Sequence, residues 1–460
     1  MKRIIIFLLG MIALVELQVE LTGCAQVVAP TGGPRDSIPP VLLTANPKEG
    51  TTNFTGKKIT LDFNEYVVID QLRENMLVSP TPKNDPYVDY KLRTITIKLR
   101  DTLEPNTTYT INLGNAIKDL NENNPYKDFS YVFSTGSVID SLQFSGKVQV
   151  AETGKVDTTL MVYLYKNLDD SAVQKEKPKY IARVNAQGGF NFKNLAPGTY
   201  KVYALLDGDG SRTYNSKSEM FAFADSTVDV GGHARPVTLY AYIEKKQTPP
   251  AAKSTGTQDK KFRFTTKVPA EKQNILGDLN IEFSRPIKNF DKSKIILTDT
   301  LNSPETGVQI NIDSTSKKIR IANNWKPGTY YKLIISKDFG TDSSGTALSK
   351  SDTIVFKTKD ETDYGTIKLR FRNLDTSRHP VLLVVSANEI INSYPLTSST
   401  WNAPLFSPGE YELRILYDEN RNGIWDPGDY TQKKQPEKVY AIPQKINIKA
   451  NWENEIDISL

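Results

Sequence analysis

Cysteine is almost absent from this chain: among 460 residues there is one, Cys24. A single thiol cannot close an internal disulfide, so no cystine framework holds the fold. Histidine is nearly as scarce, at His233 and His379, which leaves little room for imidazole acid–base or metal chemistry. His379 precedes Pro380 and His233 follows Gly231-Gly232, so both read as loop residues. No nucleophile elbow, phosphate loop, dinucleotide fingerprint or zinc spacing occurs, and the expectation is a non-enzyme. A carboxylate pair would suffice for a glycosidase, however, and 53 Asp and Glu are present. There is no charge excess either. The 58 Lys and Arg leave a net charge of +5, spread thinly, which excludes the concentrated basic face of a nucleic-acid binder. No apolar run reaches the roughly 20 residues that a membrane-spanning helix needs.

What the chain does have is strand-forming residues. It holds 22 Tyr and 18 Phe, with many Thr, Val and Ile. Short blocks alternate apolar and polar residues, the period of a strand with one buried face, and turn clusters separate them at regular intervals. The blocks repeat. Ile59-Thr60-Leu61-Asp62-Phe63, Thr94 to Leu99, Leu103 to Ile111 and Tyr131 to Thr135 are followed later by Leu279 to Phe283, Lys318 to Ile321, Trp325 to Leu333 and Ile354 to Thr358 in the same order. Between and after them a second pattern occurs twice. Gly188 to Val202 carries Phe190, Phe192, Pro197-Gly198 and Tyr200; Leu405 to Leu413 carries Phe406, Pro408-Gly409 and Tyr411. Each Pro-Gly predicts a type II turn with Gly at positive φ.

The first pair of blocks, with Pro47-Lys48-Glu49-Gly50, Phe63-Asn64-Glu65 and Tyr109, resembles the bacterial Ig-like domains of cell-surface proteins. That likeness makes Tyr109 a corner tyrosine whose hydroxyl returns to backbone. The second pattern resembles the prealbumin-like sandwich of carboxypeptidase regulatory domains and collagen-adhesin B-type repeats. The expected fold is therefore all-β: tandem β-sandwiches, Ig-like at 41–137 and 262–359, prealbumin-like at 138–244 and 360–460. A Pro/Thr-rich linker at 245–261 divides the halves, and its composition reads as a flexible tether.

The N-terminus reads as a lipoprotein signal peptide, 1–23, followed by a tether, 24–40. Lys2 and Arg3 precede the apolar run Ile4 to Val15, and Leu21-Thr22-Gly23-Cys24 resembles a lipobox. That resemblance implies acylation of Cys24, which accounts for the one cysteine and anchors the chain to a membrane. Ala25 in place of Asp implies the outer membrane, with the periplasmic or cell-surface side left open. The whole layout, with Pro30-Thr31-Gly32-Gly33-Pro34 after the Cys, resembles Ig-like lipoproteins of Bacteroidota. Triplets such as Asp36-Ser37-Ile38 and Asp352-Thr353-Ile354 resemble the O-glycosylation acceptor of those bacteria.

One local motif carries metal chemistry. Asp418, Asn420, Asn422, Asp426 and Asp429, with Gly423 between, fit the spacing of a calcium loop, in which oxygens at alternate positions converge. Asp429 is shorter than the template's Glu and Arg421 reduces the charge, so weak calcium binding or a plain turn are both open. The counterpart Asp207, Asp209, Ser211 has Arg212 in place of the Gly and reads as binding nothing. Trp325, Trp401, Trp425 and Trp452 could be sugar-stacking platforms, but each reads rather as packing within a sandwich or capping one, with Trp425, inside the polar loop, the exception as exposed.

Three functions follow. The first is a non-catalytic outer-membrane lipoprotein that is a structural or protein-interaction module, an accessory of a barrel complex or its assembly. The second is a surface adhesin or glycan-binding protein; the third is a hydrolase with an unrecognised carboxylate pair.

Overall fold

The computed structural model describes residues 35–232, 234–244 and 261–460. The segment expected as a signal peptide, Cys24, most of the expected 24–40 tether, His233 and residues 245–260 of the expected linker lie outside the described residues.

Alternation in the sequence becomes one-sided burial. In strand Lys58–Phe63, Ile59, Leu61 and Phe63 are buried while Lys58 and its neighbours face outward. The strand pairs antiparallel with Thr94–Lys98, placing Leu61 opposite Ile95 and Ile59 opposite Ile97. Leu42–Asn46 and Tyr87–Lys91 complete a four-stranded sheet. A second sheet of Leu77–Ser79, Thr108–Gly114 and Phe129–Ser134 closes over it, and the two inner faces share one core that includes Ile111, Tyr131 and Phe133.

The third sandwich repeats this arrangement strand for strand. Phe264–Thr265, Leu279–Phe283, Lys318–Ala322 and Gln309–Ile312 form one sheet; Ile295–Thr298, Tyr330–Ile335 and Asp352–Lys357 form the other. Ile281 stands opposite Ile319, as Leu61 does opposite Ile95. In both copies a buried Asp organises a turn. Asp119 accepts from the backbone N–H groups of Glu122, Asn123 and Asn124; Asp342 accepts from those of Ser344 and Thr346 and from Arg285 Nη1 at 2.6 Å.

The second and fourth sandwiches share another topology. Each has its first strand parallel to its last: Leu142–Val150 with Val237–Ile243, and Gly365–Arg372 with Glu453–Ser459. Gly198 and Gly409 have φ of +149° and +154°. They are more extended than a type II turn requires because each already begins the next strand, Gly198–Leu205 or Gly409–Tyr417. Strand Pro380–Ser386 is buried on both faces. Its unbroken Val-Leu-Leu-Val-Val run is the mark of such a strand.

All four sandwiches anchor a turn with a tyrosine hydroxyl. Tyr109 and Tyr331 accept from the N–H of Glu104 and Lys326, at 2.8 and 3.2 Å. Tyr200 and Tyr411 donate to the carbonyls of Ala196 and Ser407, both at 2.9 Å. Tyr331→Phe strands a part-buried N–H, and the third sandwich is expected to lose about 1–2 kcal/mol. Faster native-state hydrogen exchange in Tyr330–Ile335 is the check; unchanged exchange would mean that the hydroxyl bond contributes nothing.

Candidate functional site

Strand Gly409–Tyr417 ends at Asp418, and the chain departs as a long loop before returning as Lys438–Ala441. Asp418 is 2% exposed. Its two carboxylate oxygens accept from the N–H groups of Asn422 and Gly423 at 3.2 and 2.7 Å, curling the chain back on itself. Gly423 takes φ of +80°, which suits glycine. Asn420 Oδ1 accepts from Asn422 N at 3.0 Å, and Asn422 Oδ1 from Ile424 N at 2.8 Å. The amide nitrogens of Asn420 and Asn422 both donate to Asp426 Oδ2, the latter at 2.9 Å.

The fold thus brings together Asp418, Asn420, Asn422 and Asp426. Asp429 is engaged elsewhere: its Oδ1 accepts from Gln432 N at 3.0 Å, while its backbone pairs with Lys434. Among the described residues no three His, Cys, Asp or Glu side chains are grouped to hold a metal. The donors are hard oxygens of the kind calcium takes. With the two amide nitrogens turned toward Asp426, however, both amides would have to rotate before their oxygens could join a cation.

Two residues that the motif did not mark shape the loop. Glu437 is 4% exposed, and its Oε1 and Oε2 accept from the N–H groups of Glu419 and Asp426 at 2.9 and 3.0 Å. It therefore ties the loop's start and middle to the returning chain. Burial pushes its carboxyl above the ordinary carboxylate range, and the charges of Asp418 and Asp426 push the same way. Trp425 is half-buried rather than exposed. Its Nε1 donates to the Glu437 carbonyl at 2.8 Å and its ring packs on Val381, Leu383, Leu416 and Val439. Trp452, read as packing within a sandwich or capping one, is 62% exposed beneath Lys449, at the turn just before strand Glu453–Ser459.

In the counterpart loop Asp207 accepts from Arg212 N at 3.0 Å, and Arg212 occupies the left-handed conformation that Gly423 takes in the other copy. Asp209 accepts from Asn215 Nδ2 and Ser211 N, both at 2.8 Å, which hold its carboxyl well below the usual range.

The second unmarked residue is Tyr430. It leaves the loop of the fourth sandwich and enters a socket on the second, edge-on to Tyr203, Tyr214, Phe221 and Phe223 at centroid distances of 5.1–6.4 Å. Its hydroxyl donates to the Asp170 carbonyl at 2.8 Å, so the 2.9 Å contact with Tyr203 has Tyr203 as donor. The Tyr430 N–H donates to Glu244 Oε1 at 2.9 Å. Lys433 lies 3.7 Å from the ring centroid and 2.9 Å from Asp170. Around this plug Gln435 Nε2 donates to Asp225 at 2.6 Å, Val439 N to the Ala151 carbonyl at 3.1 Å, and Lys155 pairs with Glu412 at 2.8 Å. An aromatic amid polar loop residues was the one available sequence signal for Tyr430; Glu437 had none.

A model of the bacterial Ig-like domain matches residues 36–135 and 246–358, the stretches that hold the first and third sandwiches. No curated protein matches the chain. Among solved structures, native alpha-2-macroglobulin from Escherichia coli, spanning domains MG0-NIE-MG1, shares 12% identity over 36% of this chain and 66% of that one, with a TM-score of 0.19. The major pilin subunit BcpA of Bacillus cereus shares 12% over 69% and 99%, at 0.16. The N-terminal part of the bacterial S-layer protein SbsC shares 15% over 43% and 42%, at 0.16. TM-scores this low carry no argument about function or assembly.

Tyr430→Ala empties the socket. A truncation of this kind costs about 3–5 kcal/mol where the site cannot collapse, so amides of Met220–Phe223 in the second sandwich should exchange faster although the mutation lies in the fourth. Unchanged exchange there would show that the two sandwiches do not depend on this contact.

Proposed function

We propose that the protein is a non-catalytic lipoprotein anchored in the outer membrane through Cys24, and that it is a structural and protein-interaction module, an accessory of an outer-membrane barrel complex or of its assembly. The observation that carries this reading is the Tyr430 plug. Residues 227 positions apart in the chain meet there through buried rings and hydrogen bonds. Sandwich modules held to one another in this way present fixed surfaces, and pre-organised surfaces lower the entropic cost of binding a partner. The test is purification of the full-length chain in mild detergent from its native envelope. Stable recovery with an integral barrel protein, lost when Cys24→Ser releases the chain, is expected; recovery of the chain alone from solubilised membranes would count against an accessory role. Protease treatment of intact cells distinguishes the cell-surface from the periplasmic side.

We also propose that the 418–426 loop takes calcium weakly, through Asp418, Asn420, Asn422 and Asp426, with a dissociation constant of about 10⁻⁴–10⁻³ M. The hard side-chain oxygens that Asp418, Asn420, Asn422 and Asp426 bring to one turn support this. Calcium titration should change Trp425 fluorescence in the intact chain, and Asp426→Ala should abolish the change. A flat titration up to 10 mM, roughly ten times the weakest such site, would leave the loop as a turn.

A second reading, glycan binding, is favoured by exposed tyrosines on the first sandwich.

A further inference from the structure

The first and third sandwiches share a backbone closely enough to be compared residue by residue, and they differ sharply at one place. The hairpin joining Tyr87–Lys91 to Thr94–Lys98 is a tight turn of Leu92 and Arg93, with Leu92 at φ +57°; in the third sandwich the hairpin is longer, running from Ser314 to Lys317 between Asp313 and Lys318, with Ser316 at +56°. The backbone bonds agree: Phe63 N and Val67 N donate to Arg93 and Leu92, as Phe283 N and Ile287 N donate to Lys317 and Ser316. From this register Tyr66 corresponds to Pro286, Tyr90 to Ile312, Leu92 to Ser316 and Arg93 to Lys317.

The third copy carries the residues a surface hairpin calls for. In the first copy a leucine stands in the left-handed region, which bulky side chains rarely adopt, and it is 64% exposed. Tyr66 and Tyr90 beside it are 48% and 46% exposed. A two-residue turn asks for glycine, asparagine or aspartate at positive φ, so the turn itself does not call for leucine, and neither tyrosine is buried in the core of the sandwich. Local strain and exposed apolar area both cost stability, and where they coincide they point to a task outside the fold.

The surroundings say what kind of ligand. Tyr66, Tyr90 and Leu92 line a concavity of about 580 Å³ together with Asp89, Lys91, Arg93, Thr94 and Thr96. This is a shallow, open concavity of the size of a short sugar chain or small ligand. The Arg93 guanidinium lies 5.4 Å from the Tyr66 ring centroid, so it is held in place with its donors available. The side chains of Asp89 and Lys91 make no hydrogen bond or ion pair with any described residue. Half-exposed aromatic faces offer a surface to the C–H face of a sugar ring. Free carboxylate, guanidinium and ammonium groups around them suit vicinal hydroxyls, which both donate and accept.

We propose that this concavity binds a short oligosaccharide, with Tyr66 and Tyr90 as stacking platforms and Asp89, Lys91 and Arg93 as hydroxyl partners. It rests on the glycan-binding reading, to which it gives a site and a ligand class, and it is independent of the scaffold role. The test is calorimetric titration of the detergent-solubilised full chain with chitotriose, maltotriose, mannotriose and xylotriose. Binding of at least one is expected. Tyr66→Ala and Tyr90→Ala should each weaken it roughly ten-fold, as truncating an aromatic anchor does, while Tyr66→Phe keeps the ring and retains binding. Leu92→Ser, which installs the third copy's residue, should weaken binding without loss of folded structure. No binding of any of the four sugars overturns the assignment, as does binding that the alanine variants leave unchanged. Capture of an envelope protein through this patch without sugar binding would also overturn it, in favour of a protein ligand.

Discussion

A tyrosine that fastens the turn before its own strand is the constraint on which each sandwich depends. In the first sandwich the hydroxyl of Tyr109 holds the N–H of Glu104, while Thr135 from the neighbouring strand accepts from Thr107 N and donates to the Glu104 carbonyl. The third sandwich rebuilds the same knot with Tyr331, Lys326, Thr329 and Thr358. The second and fourth sandwiches reach the same end with the opposite polarity, Tyr200 and Tyr411 donating to a carbonyl four residues back. In every case the ring lies in the core and only the oxygen reaches the turn, so one side chain couples inner packing to the position of an outer loop. A sheet whose turn is fixed has its register fixed as well, because a one-residue slip would turn its apolar face outward.

This explains how much the sequence disclosed. The alternation of Ile59, Leu61 and Phe63 and of Ile95 and Ile97 marks strands because one face is buried and the other wet, and the duplication is legible because both copies need the same buried positions. Tyr109 could be singled out for the same reason: its role is local. What stayed hidden is non-local. Tyr430 reads as one more residue in a polar loop until Tyr203, Phe221 and Phe223, over 200 positions earlier, provide its socket. Glu437 lies beyond any calcium template, and it matters because the chain's return places its carboxylate beneath the loop. Trp425 misleads in the same manner, since the polar residues around it do not show that Leu383 and Val439 cover its ring.

The candidate calcium loop is therefore better understood as part of a continuous segment than as five ligands. Asp418 to Asp426 forms a turn held by its own side chains; Gly428 lies against the Tyr242 ring of the second sandwich; Tyr430 follows in its socket. A Cβ at Gly428 would come within 2.6 Å of Tyr242 and 2.8 Å of the Lys434 carbonyl, so glycine there is a requirement of close approach. Loop and contact share a backbone, and whatever stiffens the first limits the freedom of the second.

Duplication separates what folding needs from what it does not. Positions kept between the first and third sandwiches are the buried ones, among them Ile95 with Ile319, Asp119 with Asp342 and Tyr109 with Tyr331, and each has a packing or hydrogen-bonding reason on the page. Positions that differ lie at the hairpin tips and sheet edges, where both the side chain and the length of the turn are free to change. At the first copy's hairpin the turn is two residues shorter than in the third, and it carries a leucine at positive φ where glycine or asparagine would suit the backbone, beside two exposed tyrosines. The two copies part at this hairpin, the one place among the described residues where a tight turn, a strained leucine and exposed rings coincide.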